Sequence, residues 1–228
     1  MRLSILMPVY NEAKTIRRAI CEVLETDLPV EWELIVVDDG STDRTGAVLD
    51  RSCWGERVRV LHHESNRGKG AALATALGTA QGDFSAVFDA DLEYSASDLA
   101  RISRPLVEGK SNAVFGVRAF NGHSSHSFWY VVGNRFVTLA ANLLFNVYFG
   151  DLMCCHKAIR TTLFKSLGCR EAGFAIEAEI AARLVQAGER VFEIPVEYTA
   201  RPTEEGKKLR ASDGVRVLGT LLRCRFGQ

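Results

Sequence analysis

The sequence predicts an α/β domain built on a mostly parallel sheet with helices on both faces. Short apolar runs alternate with amphipathic segments along the first half of the 228-residue chain, which is the pattern of successive βαβ units. The run Leu34-Ile-Val-Val37 is apolar throughout, as a strand covered on both faces should be. Polar segments follow several of these runs, at the strand ends where open α/β sheets bind ligands.

The elements follow in order along the chain. Hydrophobic periodicity predicts strands over residues 3–7, 34–37, 58–61, 84–91 and 113–117, separated by helices over 13–25, 69–80 and 97–107. A long apolar helix over 128–149, a helix over 174–187 and a strand over 191–198 come next. Pro195 indicates that this last strand lies at a sheet edge. A glycine- and lysine-bearing loop and a basic amphipathic helix end the chain, which we interpret as one domain, 1–228.

Composition excludes several classes of function. The net charge is zero, so nucleic acid is not an expected partner. The six cysteines lack metal-ligand spacing, which indicates free thiols in a reducing compartment. No stretch reaches 18 uninterrupted apolar residues, because polar side chains interrupt the helix over 128–149. That helix is therefore expected to be amphipathic and to lie at a membrane surface rather than span it.

The strand that begins at Phe84 ends in two carboxylates, Asp89 and Asp91. Side chains alternate along a strand, so both are expected to point the same way at its carboxyl end. With Glu93 two residues on, these oxygens suit Mg²⁺ or Mn²⁺ that also binds a diphosphate. An isolated D-x-D is more often an acidic turn, so the metal-site hypothesis depends on the segments upstream.

Three polar segments lie upstream of Asp89. Two of them follow predicted strands, Pro8-Val-Tyr-Asn-Glu12 and Asp38-Asp-Gly-Ser-Thr-Asp43. The third, Asn66-Arg-Gly-Lys-Gly70, begins the predicted helix that precedes the strand with Asp89. Lys69 and free backbone amides at that helix start would favour an anion. The dinucleotide fingerprint G-x-G-x-x-G and the P-loop are both absent.

Together these segments resemble the family 2 inverting glycosyltransferases of the GT-A fold, and within them the dolichyl- or polyprenyl-phosphate sugar transferases. The resemblance extends through the second half in Gly116-Val-Arg118, Gly133-Asn-Arg135, the segment 151–157, and Glu205-Gly-Lys-Lys208 with Asp213-Gly214. The resemblance implies transfer of a hexose from a nucleotide diphosphate sugar, of GDP-mannose or UDP-glucose type, to a polyprenyl phosphate. Mg²⁺ or Mn²⁺ would be the cofactor, and the protein would be peripheral at the cytoplasmic face of the membrane. Residues 1–118 would form the nucleotide-sugar half and 119–228 the acceptor half.

The resemblance also implies roles for individual residues. The base and ribose pocket would be lined by Pro8, Tyr10, Glu12 and Asp39, with Lys69 on the phosphate side. Asp91 would ligate the metal, Asp89 would contact the metal or the donor, and Glu93 would be a further ligand; Asp89, Asp91 and Arg118 would be the catalytic set. The acceptor would be bound by Arg118, Arg135, Lys207 and Lys208. Plainer alternatives are turn chemistry for Asp38 and Asp39, a surface salt bridge for Arg118, a snorkelling side chain for Arg135 and a solvated loop for the two lysines.

The acceptor class depends on whether a base is needed. A phosphate monoester is already anionic near neutral pH, whereas a hydroxyl acceptor needs a carboxylate to take its proton. Glu177 is the candidate for such a base, while Glu179 is expected to pair with Arg183 one turn later. The alternatives to a lipid-phosphate transferase are therefore a hydroxyl-directed family 2 enzyme, a sugar nucleotidyltransferase, or a non-catalytic binding module. The glycine-rich loop expected of a nucleotidyltransferase after the first strand is absent.

Overall fold

The structure is a computed structural model that describes residues 1–118, 128–200 and 211–227. The strands within these ranges are β1 (Arg2–Val9), β2 (Glu31–Asp38), β3 (Val58–His62), β4 (Phe84–Val87), β5 (Ala113–Arg118), β6 (Lys157–Arg160) and β7 (Val191–Val196). The helices are α1 (Ile16–Glu25), α2 (Thr45–Asp50), α3 (Lys69–Thr79), α4 (Ser97–Val107), α5 (Phe128–Phe145), α6 (Thr161–Ser166), α7 (Ile176–Gln186) and α8 (Ala211–Phe226).

The seven strands form one sheet in the order β3-β2-β1-β4-β6-β5-β7. The first four are parallel neighbours, and β5 and β7 are also parallel. Strand β6 runs antiparallel to both of its neighbours, β4 and β5. The predicted mostly parallel sheet is confirmed, and so is the edge position of the strand that contains Pro195.

Helices cover both faces of the sheet because successive strand residues point to opposite sides. On one face Ile5 and Val36 pack with apolar residues of α1, α2 and α4. On the other face Leu6 and Val37 pack with apolar residues of α3, α5, α6, α7 and α8. Strand β2 is covered on both faces and is buried from Trp32 to Asp38. This burial explains why the central residues of the strand, Leu34 to Val37, are all apolar.

The structure differs from the predicted elements at several boundaries and in one strand. Helix α1 begins at Ile16 rather than at residue 13, and α5 ends at Phe145 rather than at residue 149. Strand β6 was not predicted, because its sequence Lys157-Ala-Ile-Arg160 is too short to show a period. None of the helices that the structure describes is long and apolar enough to cross a membrane.

One side of α5 is apolar and exposed to water. Phe136 is 59% exposed and Leu143 74%, while Val137, Thr138 and Ala141 on the opposite side are buried. The exposed set recurs at helical spacing and comprises Phe128, Trp129, Val132, Phe136, Leu139 and Leu143. We call these six residues the exposed face of α5. The helix contains no acidic residue, and its single charged residue is Arg135.

Candidate active site

A cavity of about 670 Å³ lies at the carboxyl ends of β1, β2, β4 and β5. This is the edge at which parallel sheets bind ligands. Nine of the predicted site residues line it: Pro8, Tyr10, Glu12, Asp39, Lys69, Asp89, Asp91, Glu93 and Arg118. The sheet therefore brings together side chains that lie up to 110 residues apart in sequence.

Asp89 and Asp91 reach the cavity from a turn and not from a strand. Strand β4 ends at Val87, so the predicted alternation along a strand is wrong for this pair. The next residue, Leu92, has a φ of 61°, a left-handed conformation that is rare for a branched side chain and is common at functional sites. The amide of Glu93 donates to Oδ1 of Asp91 at 3.1 Å, which holds the turn closed.

Lys69 lies between two carboxylates in the cavity wall. Its Nζ is 2.8 Å from Oδ2 of Asp89 and 2.9 Å from Oε1 of Glu177. The other oxygen of Glu177 accepts from Nζ of Lys157 at 2.7 Å. Two carboxylates and two ammonium groups thus alternate along a buried chain, Asp89–Lys69–Glu177–Lys157, whose charges balance.

Both Lys69 and Asp89 stay ionised in this chain. Burial alone would lower the pKa of Lys69, but the charges of Asp89 and Glu177 raise it well above its usual value. Burial would likewise raise the pKa of Asp89, but the charge and hydrogen bond of Lys69 lower it. The cavity wall therefore presents an ammonium group directly beside a carboxylate.

Asp39 anchors the loop that precedes α3. Its Oδ1 accepts from the amide of Arg67 at 3.0 Å and lies 2.7 Å from Nδ1 of His63, and its Oδ2 accepts from the amide of Gly68 at 2.7 Å. Asp38 fulfils the turn alternative, since its Oδ1 accepts from the amide of Ser41 at 3.1 Å. Both aspartates therefore act on backbone conformation, although Asp39 also lines the cavity.

Two amides in the first turn of α3 are not free, which corrects part of a second prediction. The amides of Gly70 and Ala71 both donate to the carbonyl oxygen of Ala172, at 2.6 and 3.2 Å. A Cβ atom at Gly70 would overlap the carbonyl oxygen of Glu171, and one at Gly68 would overlap that of Ala172. The glycines thus allow the segment before α7 to lie against the helix start, and the anion-binding capacity there rests on Lys69.

Arg118 forms a buried ion pair with Asp151. The guanidinium donates from Nε to Oδ2 at 2.6 Å and from Nη2 to Oδ1 at 2.8 Å, and the amide of Asn134 donates to the same Oδ1 at 2.9 Å. Nη1 of Arg118 donates to the hydroxyl of Tyr130 at 3.3 Å. The surface salt bridge considered for Arg118 is therefore wrong, because the pair is buried and Arg118 lines the cavity.

The acidic lining fits a divalent cation together with an anionic ligand. Seven of the lining residues that the structure describes are acids and three are bases. This excess of negative charge would repel an anionic diphosphate unless a cation were bound as well. No three His, Cys, Asp or Glu side chains among the described residues converge as a ready metal site. Two carboxylates with phosphate oxygens and water suffice for Mg²⁺, and Asp89 and Asp91 can supply them. The carboxylate of Glu93 accepts from the hydroxyl of Tyr198 at 2.9 Å.

The remaining candidate residues occupy different positions. Arg135 is exposed on α5 and is not among the cavity lining. Lys207 and Lys208 fall outside the described residues. Glu177 lines the cavity as expected of a candidate base, and Glu179 pairs with Arg183 at 2.8 Å as predicted.

Six further residues that line the cavity received no individual role in the sequence analysis. They are Tyr130, Met153, Cys155, Phe174, Asp213 and Arg216. Met153 and Cys155 lie in the segment 151–157 and Asp213 in Asp213-Gly214, which carry the family resemblance, whereas Tyr130, Phe174 and Arg216 belong to no motif with a recognisable spacing. The basic character of the last helix was the one sign that Arg216 could be functional.

Comparison with known proteins identifies the family. The family model described as glycosyl transferase family 2 matches residues 4–168. The chain belongs to glycosyltransferase family 2. The predicted enzyme class is thereby confirmed, and the matched range contains β1 to β6 and most of the cavity lining.

Relatives of this family 2 glycosyltransferase include two proteins of Haloferax volcanii. It is 30% identical to Glycosyltransferase AglD over 206 residues, which is 87% of this chain and 33% of AglD. It is 29% identical to Glycosyltransferase AglJ over 199 residues, covering 87% of this chain and 63% of AglJ. The chain thus spans one third of the length of AglD and somewhat under two thirds of the length of AglJ.

Solved structures establish the fold. Glucosyl-3-phosphoglycerate synthase from Mycobacterium tuberculosis, in complex with Mn²⁺, UDP and glucosyl-3-phosphoglycerate, superposes with a TM-score of 0.76 at 21% identity. The match covers 98% of this chain and 80% of that one. A second structure of that enzyme, with Mg²⁺ and UDP, has a TM-score of 0.74 at 22% identity. The predicted GT-A fold is confirmed.

Proposed function

We propose that this family 2 glycosyltransferase transfers a hexose from a nucleotide diphosphate sugar, of GDP-mannose or UDP-glucose type, to a polyprenyl phosphate. The reaction inverts the anomeric configuration and requires Mg²⁺ or Mn²⁺. The protein works peripherally at the cytoplasmic face of a membrane. Bound UDP with Mn²⁺ or Mg²⁺ in structures of the mycobacterial synthase supports the donor class and the cofactor.

The exposed face of α5 carries the proposal of a lipid acceptor. The same helix contributes Tyr130 to the cavity and displays large apolar side chains to water on its other side. Exposed contiguous apolar surface of this kind is typical of membrane and protein contacts. A lipid whose tail lies along α5 would place its phosphate at the cavity, and α5 contains no acidic residue that would repel it.

The environment of Glu177 also supports a phosphate acceptor. Its two oxygens face the ammonium groups of Lys69 and Lys157 at 2.9 and 2.7 Å, and the side chain is buried. A base for a hydroxyl acceptor must reach the proton that it removes. The carboxylate of Glu177 is instead held by two lysines, so it is better suited to positioning Lys69.

The proposed chemistry is a direct displacement. An oxygen of the acceptor phosphate forms a bond to the anomeric carbon while the bond from that carbon to the diphosphate oxygen breaks. The nucleoside diphosphate leaves with the bonding electrons, and no proton has to be removed from the acceptor. A divalent cation held by Asp89 and Asp91 would neutralise charge on the diphosphate when bound. Lys69 supplies a fixed positive charge beside it. Pro8, Tyr10 and Glu12 line the cavity and would bind the base and ribose.

Release of nucleoside diphosphate tests the proposal. Purified protein is incubated with Mn²⁺ or Mg²⁺ and a panel of UDP- and GDP-hexoses, with and without a polyprenyl phosphate. We expect release that needs both metal and lipid phosphate, and that falls at least about a hundredfold in Asp91→Asn. Asp27→Asn, an exposed carboxylate far from the cavity lining, is the matched control and should retain full activity.

Two outcomes would contradict the acceptor assignment. The first is metal-dependent donor binding with no release stimulated by lipid phosphate. The second is release stimulated by a sugar or lipid hydroxyl and abolished in Glu177→Gln, which would establish the hydroxyl-directed alternative. Donor binding with no turnover on either acceptor class would favour the binding module.

A further inference from the structure

We infer that Arg216 of α8 binds a phosphate group of the substrates in the cavity. The residue lines the cavity and belongs to none of the segments that predicted the site. The inference depends on the proposed function for the acceptor phosphate only, since a nucleotide diphosphate ligand supplies phosphate groups in any case.

The charges in the cavity wall single out Arg216. The basic residues among the described lining are Lys69, Arg118 and Arg216. Lys69 is paired with two carboxylates, and Arg118 is bound by both oxygens of Asp151. Within residues 1–118, 128–200 and 211–227, no carboxylate lies within ion-pair distance of the Arg216 guanidinium. Among the described residues, an incoming phosphate therefore meets two cations that are paired with carboxylates and one, Arg216, that is not.

The packing of α8 fixes where this charge is presented. Val217 and Leu221 are buried against the core. The hydroxyl of Thr220 donates to Oε1 of Glu171 at 2.8 Å. Residues four apart lie on the same side of a helix, so Arg216 projects from the side of α8 that faces the segment at Glu171.

That segment connects α8 to the phosphate side of the cavity. The residue after Glu171 is Ala172, whose carbonyl oxygen accepts from the amide of Gly70 at 2.6 Å. Gly70 is the neighbour of Lys69, so α8 and the start of α3 are joined through one short stretch of backbone. Arg216 is thereby held near the wall that contains Lys69 and Asp89, where a diphosphate or an attacking phosphate would lie.

Arginine is well suited to this role. Its guanidinium offers a planar set of donors that binds phosphate in a bidentate manner, and it remains charged at all relevant pH values. The Arg216 side chain is exposed, while Val217 and Leu221 hold α8 against the core. Arg216 can therefore contact a ligand without a change in the packing of the core. Substitution of Arg216 is therefore expected to change ligand affinity and leave the stability of the fold unchanged.

Two phosphate groups are possible ligands, and they give different kinetic results. If Arg216 binds the donor diphosphate, its removal weakens the affinity for UDP or GDP in the presence of Mn²⁺. If it binds the acceptor phosphate, its removal raises KM for polyprenyl phosphate and leaves nucleotide affinity unchanged. Loss of a charge-assisted hydrogen bond corresponds to a change of roughly tenfold to a hundredfold in either quantity.

The experiment compares Arg216→Ala and Arg216→Lys with Arg225→Ala. Arg225 is an exposed arginine on the same helix that does not line the cavity, so its removal changes net charge by the same amount. Nucleotide affinity is measured by titration calorimetry with Mn²⁺ and UDP or GDP, and KM and kcat are measured with polyprenyl phosphate. The lysine variant should recover part of the loss, because it retains the charge but not the bidentate geometry.

A tenfold change in nucleotide affinity or in KM for the acceptor, absent in Arg225→Ala, would support the inference and identify the phosphate. Changes within twofold of those in Arg225→Ala for both quantities would overturn it. If wild-type protein transfers nothing to polyprenyl phosphate, the proposed function has failed, and nucleotide affinity alone then decides the role of Arg216.

Discussion

Arg118 and Asp151 lie 33 residues apart and form a doubly hydrogen-bonded ion pair with almost no exposure to solvent. The pair joins the end of β5 to the segment that follows α5. Burial alone would lower the pKa of Arg118, but the hydrogen bonds and charge of Asp151 raise it above its ordinary value. Asp151 would be raised by burial, yet the hydrogen bond and charge of Arg118 lower its pKa. Each partner keeps the other ionised although both are buried.

Removing one partner of this pair should be costly. Asp151→Asn keeps the shape of the side chain but leaves the Arg118 charge buried without its counter-ion, so we expect the free energy of unfolding to fall by about 3–5 kcal/mol. Urea denaturation measures it. Glu22→Gln removes the partner of Arg18 in an exposed helical pair and should cost no more than about 0.5 kcal/mol. Equal losses in the two variants would refute the structural role assigned to Asp151.

Two glycines of α3 should respond in opposite directions. A methyl group at Gly70 would overlap the backbone at Glu171, whereas one at Gly78 meets nothing within 4 Å. Gly70→Ala should lower the free energy of unfolding by about 1–3 kcal/mol and weaken nucleotide binding, since Lys69 is displaced. Gly78→Ala should raise stability by up to about 1 kcal/mol. Thermal unfolding with and without UDP and Mn²⁺ distinguishes them, and stabilisation by both substitutions would contradict the packing described here.

His156 should make stability fall on mild acidification. The ring is buried between Phe88 and Tyr94, and burial lowers its pKa despite the opposing charges of Asp98 and Asp89. Below about pH 6.5 the unfolded imidazole binds a proton that the folded one does not, so the free energy of unfolding decreases as the pH falls through this range. His156→Phe should show a shallower decline between pH 7 and pH 5 in denaturation curves. Identical slopes for the two proteins would disprove the assignment.

The exposed face of α5 should bind lipid. Phe136→Glu and Leu139→Glu each replace an apolar side chain that would be buried in the interface, and each should weaken binding to vesicles containing anionic lipid by tenfold or more. Both residues are more than half exposed, so the melting temperature should not change. Leu24→Glu, on a helix of the opposite sheet face, is the control in vesicle co-sedimentation. Undiminished binding of the α5 variants would remove the membrane from the proposed function.

Sequence patterns predicted the fold and the residues that converge on the cavity. The prediction of the site succeeded because the carboxyl ends of parallel strands lie at the same edge of a sheet. The motifs that follow β1, β2 and β4 must therefore lie close together once the strands are assigned. The partners of these residues were not predictable in the same way. Asp151 and Glu177 lie far in sequence from Arg118 and Lys69, and no local period encodes an ion pair between distant segments.

Backbone detail was also beyond the sequence patterns. The turn at Asp89–Asp91 depends on the left-handed conformation of Leu92, which leucine seldom adopts, so propensity favoured a continued strand. The amides of Arg67 and Gly68 donate to Asp39, and those of Gly70 and Ala71 donate to the carbonyl oxygen of Ala172. These hydrogen bonds join segments that meet only in the folded protein. Arg216 was missed because a single arginine in a basic helix resembles an ordinary solvated side chain.

The antiparallel position of β6 has a consequence for how the molecule is assembled. Without residues 157–160, the sheet would separate into a four-stranded parallel part and the pair of β5 and β7, since β6 alone bridges them. A ribosome that has released only the first 118 residues has therefore exposed an open edge on β4 with no strand to cover it. Such edges promote association with other chains. The sheet is accordingly completed only after residues 157–160 have paired with β4 and β5, and a fragment cut at the end of β5 should aggregate and should not bind nucleotide.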